Sequence, residues 1–116
     1  MCHVLVIEDE FLIATYIQAV LEENGATSVE VVDTEHGAIR AALTKRPGVI
    51  TSDIKLREGS GLKAVRTIHE QAGLIPVIFI TSTPELCDMA GPHVRVLGKP
   101  AAEPTIRHAF LEVFPV

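Results

Sequence analysis

Short, continuous apolar runs alternate along this chain with stretches whose apolar residues recur every three to four positions. The first run, "HVLVI" (residues 3–7), has the unbroken hydrophobicity of a strand buried on both faces. Ile13, Ile17, Val20 and Leu21 then fall at i, i+4, i+7 and i+8, one face of a helix that should stop near Asn24-Gly25. "SVEVV" (28–32) predicts a second strand. Asp33 or Thr34 can cap a helix running to about Lys45, which Pro47-Gly48 ends. "VIT" (49–51) predicts the third strand and "GLKAVRTIHEQA" (61–72) the third helix. "PVIFIT" (76–81) is the most apolar segment and is expected at the centre of a sheet. Thr83-Pro84-Glu85 offers a cap followed by proline at a first helical position, so a short fourth helix is expected there. "VRVL" (94–97) predicts a fifth strand. Ile106, Phe110, Val113 and Phe114 repeat the helical stripe at the end.

Five strand–helix units with short connections predict an α/β fold, a parallel sheet with helices on both faces. Ligands of such folds bind beyond the carboxyl ends of the strands. The residues there are Glu8, Asp9 and Glu10; Asp33; Asp53; Thr81 and Ser82; and Gly98, Lys99 and Pro100. Glu8, Asp9 and Asp53 come from two strands that the fold sets side by side. Carboxylates so close repel one another, and a hard divalent cation with open water positions, Mg²⁺, suits them. The Thr81 hydroxyl and the Lys99 ammonium, each ending its own strand, are donors suited to phosphoryl oxygens. Glu10 reads as a first-turn helix residue favoured by the dipole.

Composition narrows the class without changing this picture. The chain has 116 residues, of which 47% are apolar and 22% charged, with a formal net charge of -5. No basic tail or patch is present, so no direct nucleic-acid partner is expected. No apolar stretch approaches the ~18 residues of a membrane span, and "MCHVLVIEDE" meets two acids too early for a signal peptide. A cytoplasmic protein with no membrane partner is expected. Cys2 and Cys87 are expected to be buried free thiols, and the five histidines lack ligand spacing.

"VLVIEDE", "SDIKLREGSG", "VIFITS" and "GKP" resemble, in order, the four signatures of response-regulator receiver domains, over essentially the whole chain (1–116). The resemblance implies a single flavodoxin-like domain with strand order 2-1-3-4-5. It implies that Asp53 accepts a phosphoryl group from a sensor histidine kinase or a histidine phosphotransfer protein. Asp9 and Asp53 would ligate Mg²⁺ directly, with the backbone carbonyl of Lys55, and Glu8 would act through a metal-bound water. Thr81 and Lys99 would hold the phosphoryl oxygens, and the Lys99–Pro100 peptide would be cis. The chain would catalyse only its own phosphorylation and dephosphorylation and then change a protein-binding face, toward a downstream protein or a fused output domain. "PVIFITSTPEL" is similar to receivers of alphaproteobacterial-type general-stress regulators, which control an attached anti-anti-sigma module.

Four departures from the family pattern stand out, and all but the first fall on the fourth-helix to fifth-helix face that commonly carries signals out. Arg57 stands where the family usually has proline, Val96 replaces the switch aromatic, and Ala101 replaces a common aromatic after Lys99-Pro100. Only 17 residues separate Thr81 from Lys99. An alternative reading is therefore an atypical receiver that binds partners without phosphorylation. "GSGLKA" (59–64) matches a nucleotide-binding pattern, but Asp53 and five further residues separate it from its strand, so it reads as a flexible turn into the third helix. A small hydrolase or a flavin protein on the same fold is a third reading, and it lacks a stacking aromatic near the strand ends. Lys55 and Thr83 occupy positions beside the path of a hydrolytic water. Lys55 is expected to set the lifetime of the phosphorylated state, which an unchanged dephosphorylation rate in Lys55→Ala would refute. The chain suits a single-domain regulator and equally an excised domain.

Overall fold

In the computed structural model, which describes residues 2–114, the alternating pattern becomes five parallel strands and their crossovers. The strands are β1 (His3–Ile7), β2 (Ser28–Val32), β3 (Val49–Ser52), β4 (Val77–Thr81) and β5 (Val94–Gly98). The helices among the described residues are α1 (Phe11–Glu23), α2 (Glu35–Thr44), α3 (Gly61–Ala72) and α4 (Glu103–Val113). The sheet order is β2-β1-β3-β4-β5, as the resemblance implied. β4 is fully buried and interior, but the middle position belongs to β3.

Alternate residues of each strand face opposite layers. Val4, Val6, Val49, Ile78 and Ile80 pack against Ile17 and Leu21 of α1 and Ile106 and Phe110 of α4. Leu5, Ile7, Ile50, Val77 and Phe79 pack against Ala38 and Ala42 of α2 and Val65 and Ile68 of α3. Each large side chain so buried contributes about 1.5–3 kcal/mol relative to exposure. Two candidate caps for α2 resolve to one: the Thr34 hydroxyl accepts the Gly37 N–H at 2.9 Å. Ser60 does the same for α3 through the Lys63 N–H.

The crossover from β4 to β5 departs from expectation. Pro84–Leu86 form a single 3-10 turn instead of a helix, and none of these residues is buried. Pro84 at one end and Gly91-Pro92 at the other leave only Glu85 to Ala90, less than two turns, in which to nucleate. Cys87 in this segment is half-buried, so only Cys2 matches the expected buried thiol. No helix among the described residues is long and apolar enough to cross a membrane.

Candidate functional site

The strand register itself assembles the site. The Asp53 N–H continues the β1–β3 ladder by donating to the Ile7 carbonyl at 2.9 Å. The Lys99 N–H continues β4–β5 by donating to the Thr81 carbonyl, also at 2.9 Å. The residue after each interior strand is thereby carried to one end of the sheet. There Asp9, Glu10, Asp53, Lys55, Arg57, Thr81 and Thr83 line an open cleft of about 340 Å³.

Lys99 is the electrostatic centre. Its ammonium stands 2.8 Å from Asp53 Oδ2 and 2.9 Å from Glu8 Oε1. The Lys99–Pro100 peptide is cis, as expected from the resemblance. Burial alone would push the Lys99 pKa down, but its hydrogen bond to Asp53 and the negative charges of Asp53 and Glu8 outweigh it and hold it above its ordinary value. Glu8 directly follows the buried end of β1, with 3% of its surface exposed. Burial raises its carboxyl pKa, offset in part by Lys99 and by the Glu10 N–H, which donates to Oε2 at 3.1 Å. Its Oε1 faces Lys99 as a charge contact without hydrogen-bond geometry to any described residue.

The acids divide into two groups. Carboxylate oxygens of Glu8, Asp9 and Glu10 lie within 4.8 Å of one another, a spacing at which a cation can bridge them. Glu10, read from sequence as a helix residue, does occupy the N-cap position of α1, yet its carboxylate belongs to this group. Asp53 is turned instead toward Lys99 and the Ile54 N–H, which donates to Oδ1 at 2.6 Å. The Thr81 hydroxyl is fully buried and engaged by its own turn, accepting the Thr83 N–H at 3.0 Å and lying 3.2 Å from the Thr83 hydroxyl. The Lys55 side chain is exposed at the cleft rim. Asp33 lines an adjoining hollow that it shares with Glu8, Asp9, Phe11 and Val31.

Two features went unread in the sequence. The Arg57 N–H donates to Asp9 Oδ2 at 2.6 Å, a donor that proline at this position would lack. The turn before α3, expected to be flexible, is pinned. Gly61 approaches so closely that a Cβ there would collide with the Asp53 carbonyl, and its N–H donates to the Ile54 carbonyl at 2.8 Å.

A doubly wound parallel sheet in this order, with three acids, a lysine and a buried threonine at its carboxyl edge, defines a receiver of two-component signalling. Residues 4–109 match the model of the response regulator receiver domain, and the chain belongs to that family. Among curated relatives it is 44% identical over 84 residues to the phyllosphere-induced regulator PhyR of Methylorubrum extorquens, covering 71% of this chain and 31% of that protein. It is also 31% identical over 88 residues to the KDP operon transcriptional regulatory protein KdpE of Escherichia coli, covering 76% of this chain and 38% of that one. The matched part of the chain thus spans between 22% and 38% of the length of these and the other curated relatives. Among solved structures, the receiver domain of Erythrobacter litoralis PhyR superposes with a TM-score of 0.85 at 32% identity, covering 97% of this chain and 88% of that one. The Pseudomonas aeruginosa receiver domain of a sensor histidine kinase superposes with a TM-score of 0.82 at 27% identity, covering 98% of each chain. That structure holds a magnesium ion in its active-site cleft.

Proposed function

We propose that this receiver is a phosphorylation-dependent switch in which Asp53 is the phosphoryl acceptor. The observation that carries the reading is the Lys99 ammonium, held 2.8 Å from Asp53 Oδ2 and 2.9 Å from Glu8 Oε1. In the transfer, an Asp53 carboxylate oxygen forms the bond to phosphorus as the bond to the partner's histidine nitrogen breaks. The departing imidazole keeps the electron pair. Lys99 and Thr81 offer the ammonium and hydroxyl that bear on the phosphoryl oxygens. Thr81 must turn from Thr83 to do so.

The donor set fits Mg²⁺. Glu8, Asp9, Glu10 and Asp53 present four carboxylates, all hard oxygen ligands, beside the buried ammonium of Lys99. Asp9 and Asp53 would hold the ion directly with the Lys55 carbonyl, and Glu8 would hold it through water. When bound, the ion supplies neutralisation of phosphoryl charge. The chain turns over no other substrate in this reading, so it is a regulator and not an enzyme. A histidine kinase or histidine phosphotransfer protein is the donor. The similarity to PhyR proteins, one of them solved as a stress response regulator, supports a stress-regulator output.

The test is incubation with Mg²⁺ and a small phosphodonor, read by intact mass. The wild type is expected to gain one phosphoryl group and Asp53→Ala none. A gain that survives in Asp53→Ala would remove Asp53 from the role. No gain on the wild type would favour a module that binds partners unphosphorylated.

A further inference from the structure

Glu35 opens α2, outside the ring of strand-end residues, and a carboxylate there is ordinarily explained by the helix dipole. Its contacts go elsewhere. The Glu35 N–H donates to the Glu58 carbonyl at 3.1 Å, and its Oε1 accepts the Ser60 N–H at 2.8 Å. Between these two bonds Gly59, at φ +95°, presses against it. A Cβ at position 59 would stand 2.5 Å from the Glu35 Cβ. Residue 35 therefore brackets the turn that follows the acceptor strand, its backbone holding Glu58 and its carboxylate holding Ser60.

Both ends of that turn lead to the acids. Ser60, held by Glu35, donates its hydroxyl to the Ile54 carbonyl at 3.3 Å, and the Ile54 N–H in turn donates to Asp53 Oδ1. Two residues before Gly59, the Arg57 N–H donates to Asp9 Oδ2. The Leu56 N–H closes the turn on the Gly59 carbonyl at 3.2 Å. The Glu35 carboxylate thus reaches Asp53 through Ser60 and Ile54, while its backbone N–H holds Glu58, the neighbour of Arg57 and of the bond to Asp9.

We propose that Glu35 is a positioning residue of the cation and phosphoryl site, fixing the turn of residues 54–60 and with it the separation of Asp9 from Asp53. The inference rests on the phosphoacceptor reading above. It predicts a requirement for an acceptor oxygen at position 35, not for a charge. Glutamine satisfies that requirement and alanine does not, whereas a residue serving the helix dipole would lose its role in both variants.

Mg²⁺ alone is titrated into the wild type, Glu35→Ala and Glu35→Gln by calorimetry, and amide exchange is followed at Arg57 and Ser60. Glu35→Ala is expected to weaken Mg²⁺ binding about tenfold, the size of effect seen when an outer partner of a metal ligand is lost. The Arg57 and Ser60 amides should exchange faster while those of β3 stay protected, which shows that the fold persists. Glu35→Gln should restore both readouts. Mg²⁺ binding by Glu35→Ala equal to that of the wild type would overturn the proposal, as would Glu35→Gln failing as badly as Glu35→Ala. A wild type that binds no Mg²⁺ would instead defeat the reading of the site. The exchange rates then decide the bracket alone, and an unchanged Ser60 amide in Glu35→Ala would refute it.

Discussion

The two crossovers that flank β4 are built to opposite standards. The one before it, α3, has twelve residues and buries Gly61, Leu62, Ala64, Val65 and Ile68. Its first turn is capped by Ser60, and at its other end the Arg46 guanidinium donates to the Ala72 and Leu74 carbonyls at 3.0 and 3.1 Å. The crossover after β4 has one 3-10 turn with no buried residue, and it leaves Leu86 and Val96 exposed. The acceptor side is therefore fixed by packing and capping, and the far side is held by the β4–β5 ladder, the half-buried Cys87 and Met89 and the exposed Arg66–Asp88 ion pair. Segments with few buried contacts open locally at low free energy. The structure places chemistry on the rigid side and leaves a pliable side next to Thr81.

The sharpest way to break this contrast is a matched pair of truncations. Ile68→Ala removes a fully buried side chain of α3 and is expected to cost about 3–4 kcal/mol of unfolding free energy. Leu86→Ala, on the 3-10 turn, should stay within about 0.5 kcal/mol. Urea denaturation of both variants measures the difference. Comparable losses would mean that the β4–β5 crossover is packed as firmly as α3, and the contrast would fail.

A smaller effect is expected at Lys99, which ties the two sides together by reaching from the end of β5 to Asp53 and Glu8. Lys99→Met leaves the buried Glu8 carboxylate without its cation. Asp53 keeps some contact with water, so the loss should be roughly 2 kcal/mol, below that of a fully buried pair. Mg²⁺ should then raise the melting temperature of the variant more than that of the wild type, because it supplies the missing positive charge. An equal rise in both proteins would show that Lys99 does not compensate these acids.

The same contrast explains what was legible in the sequence. Ile13, Ile17, Val20 and Leu21 announced α1 because burial against a sheet imposes a helical period on residue type, and α3 was bounded to the residue for the same reason. The crossover after β4 has no such stripe, and Thr83-Pro84 signalled a helical start with nothing to sustain it. At the site, Glu8, Asp9, Asp53, Thr81 and Lys99 stood out because their chemistry resides in side chains at strand ends. The bond from Arg57 to Asp9 did not, since a backbone N–H leaves no trace in residue type beyond the missing proline. Glu35 was hidden differently. Its role depends on Gly59 and Ser60, some 25 positions away in the chain, and an acid at a helix start already has a local explanation.

The smallest expected effect lies where the two crossovers touch. His69, near the end of α3, and His93, just before β5, bring their ring centroids to 5.7 Å. His69 Nε2 lies 2.9 Å from the Ile75 carbonyl, and because a carbonyl only accepts, this nitrogen carries the proton of the neutral ring. Burial lowers the His69 pKa below its ordinary value, the bond to Ile75 opposes the shift, and His93 adds to it. The folded protein therefore takes up a proton at lower pH than the unfolded chain does. Above about pH 6.5 the ring is neutral in both states and its contribution is fully present. As pH falls below that value the unfolded chain gains a proton that the folded chain refuses, and stability declines until the folded value is passed. His3, also lowered by burial, adds a second decline of the same sign. His69→Gln keeps a donor for Ile75 and removes the titration, so its melting temperature should fall less steeply between about pH 7.5 and pH 5.5. A slope identical to that of the wild type would mean that protonated His69 is accommodated at the seam. The thin crossover would then yield to the charge, and the rigid side would not transmit it.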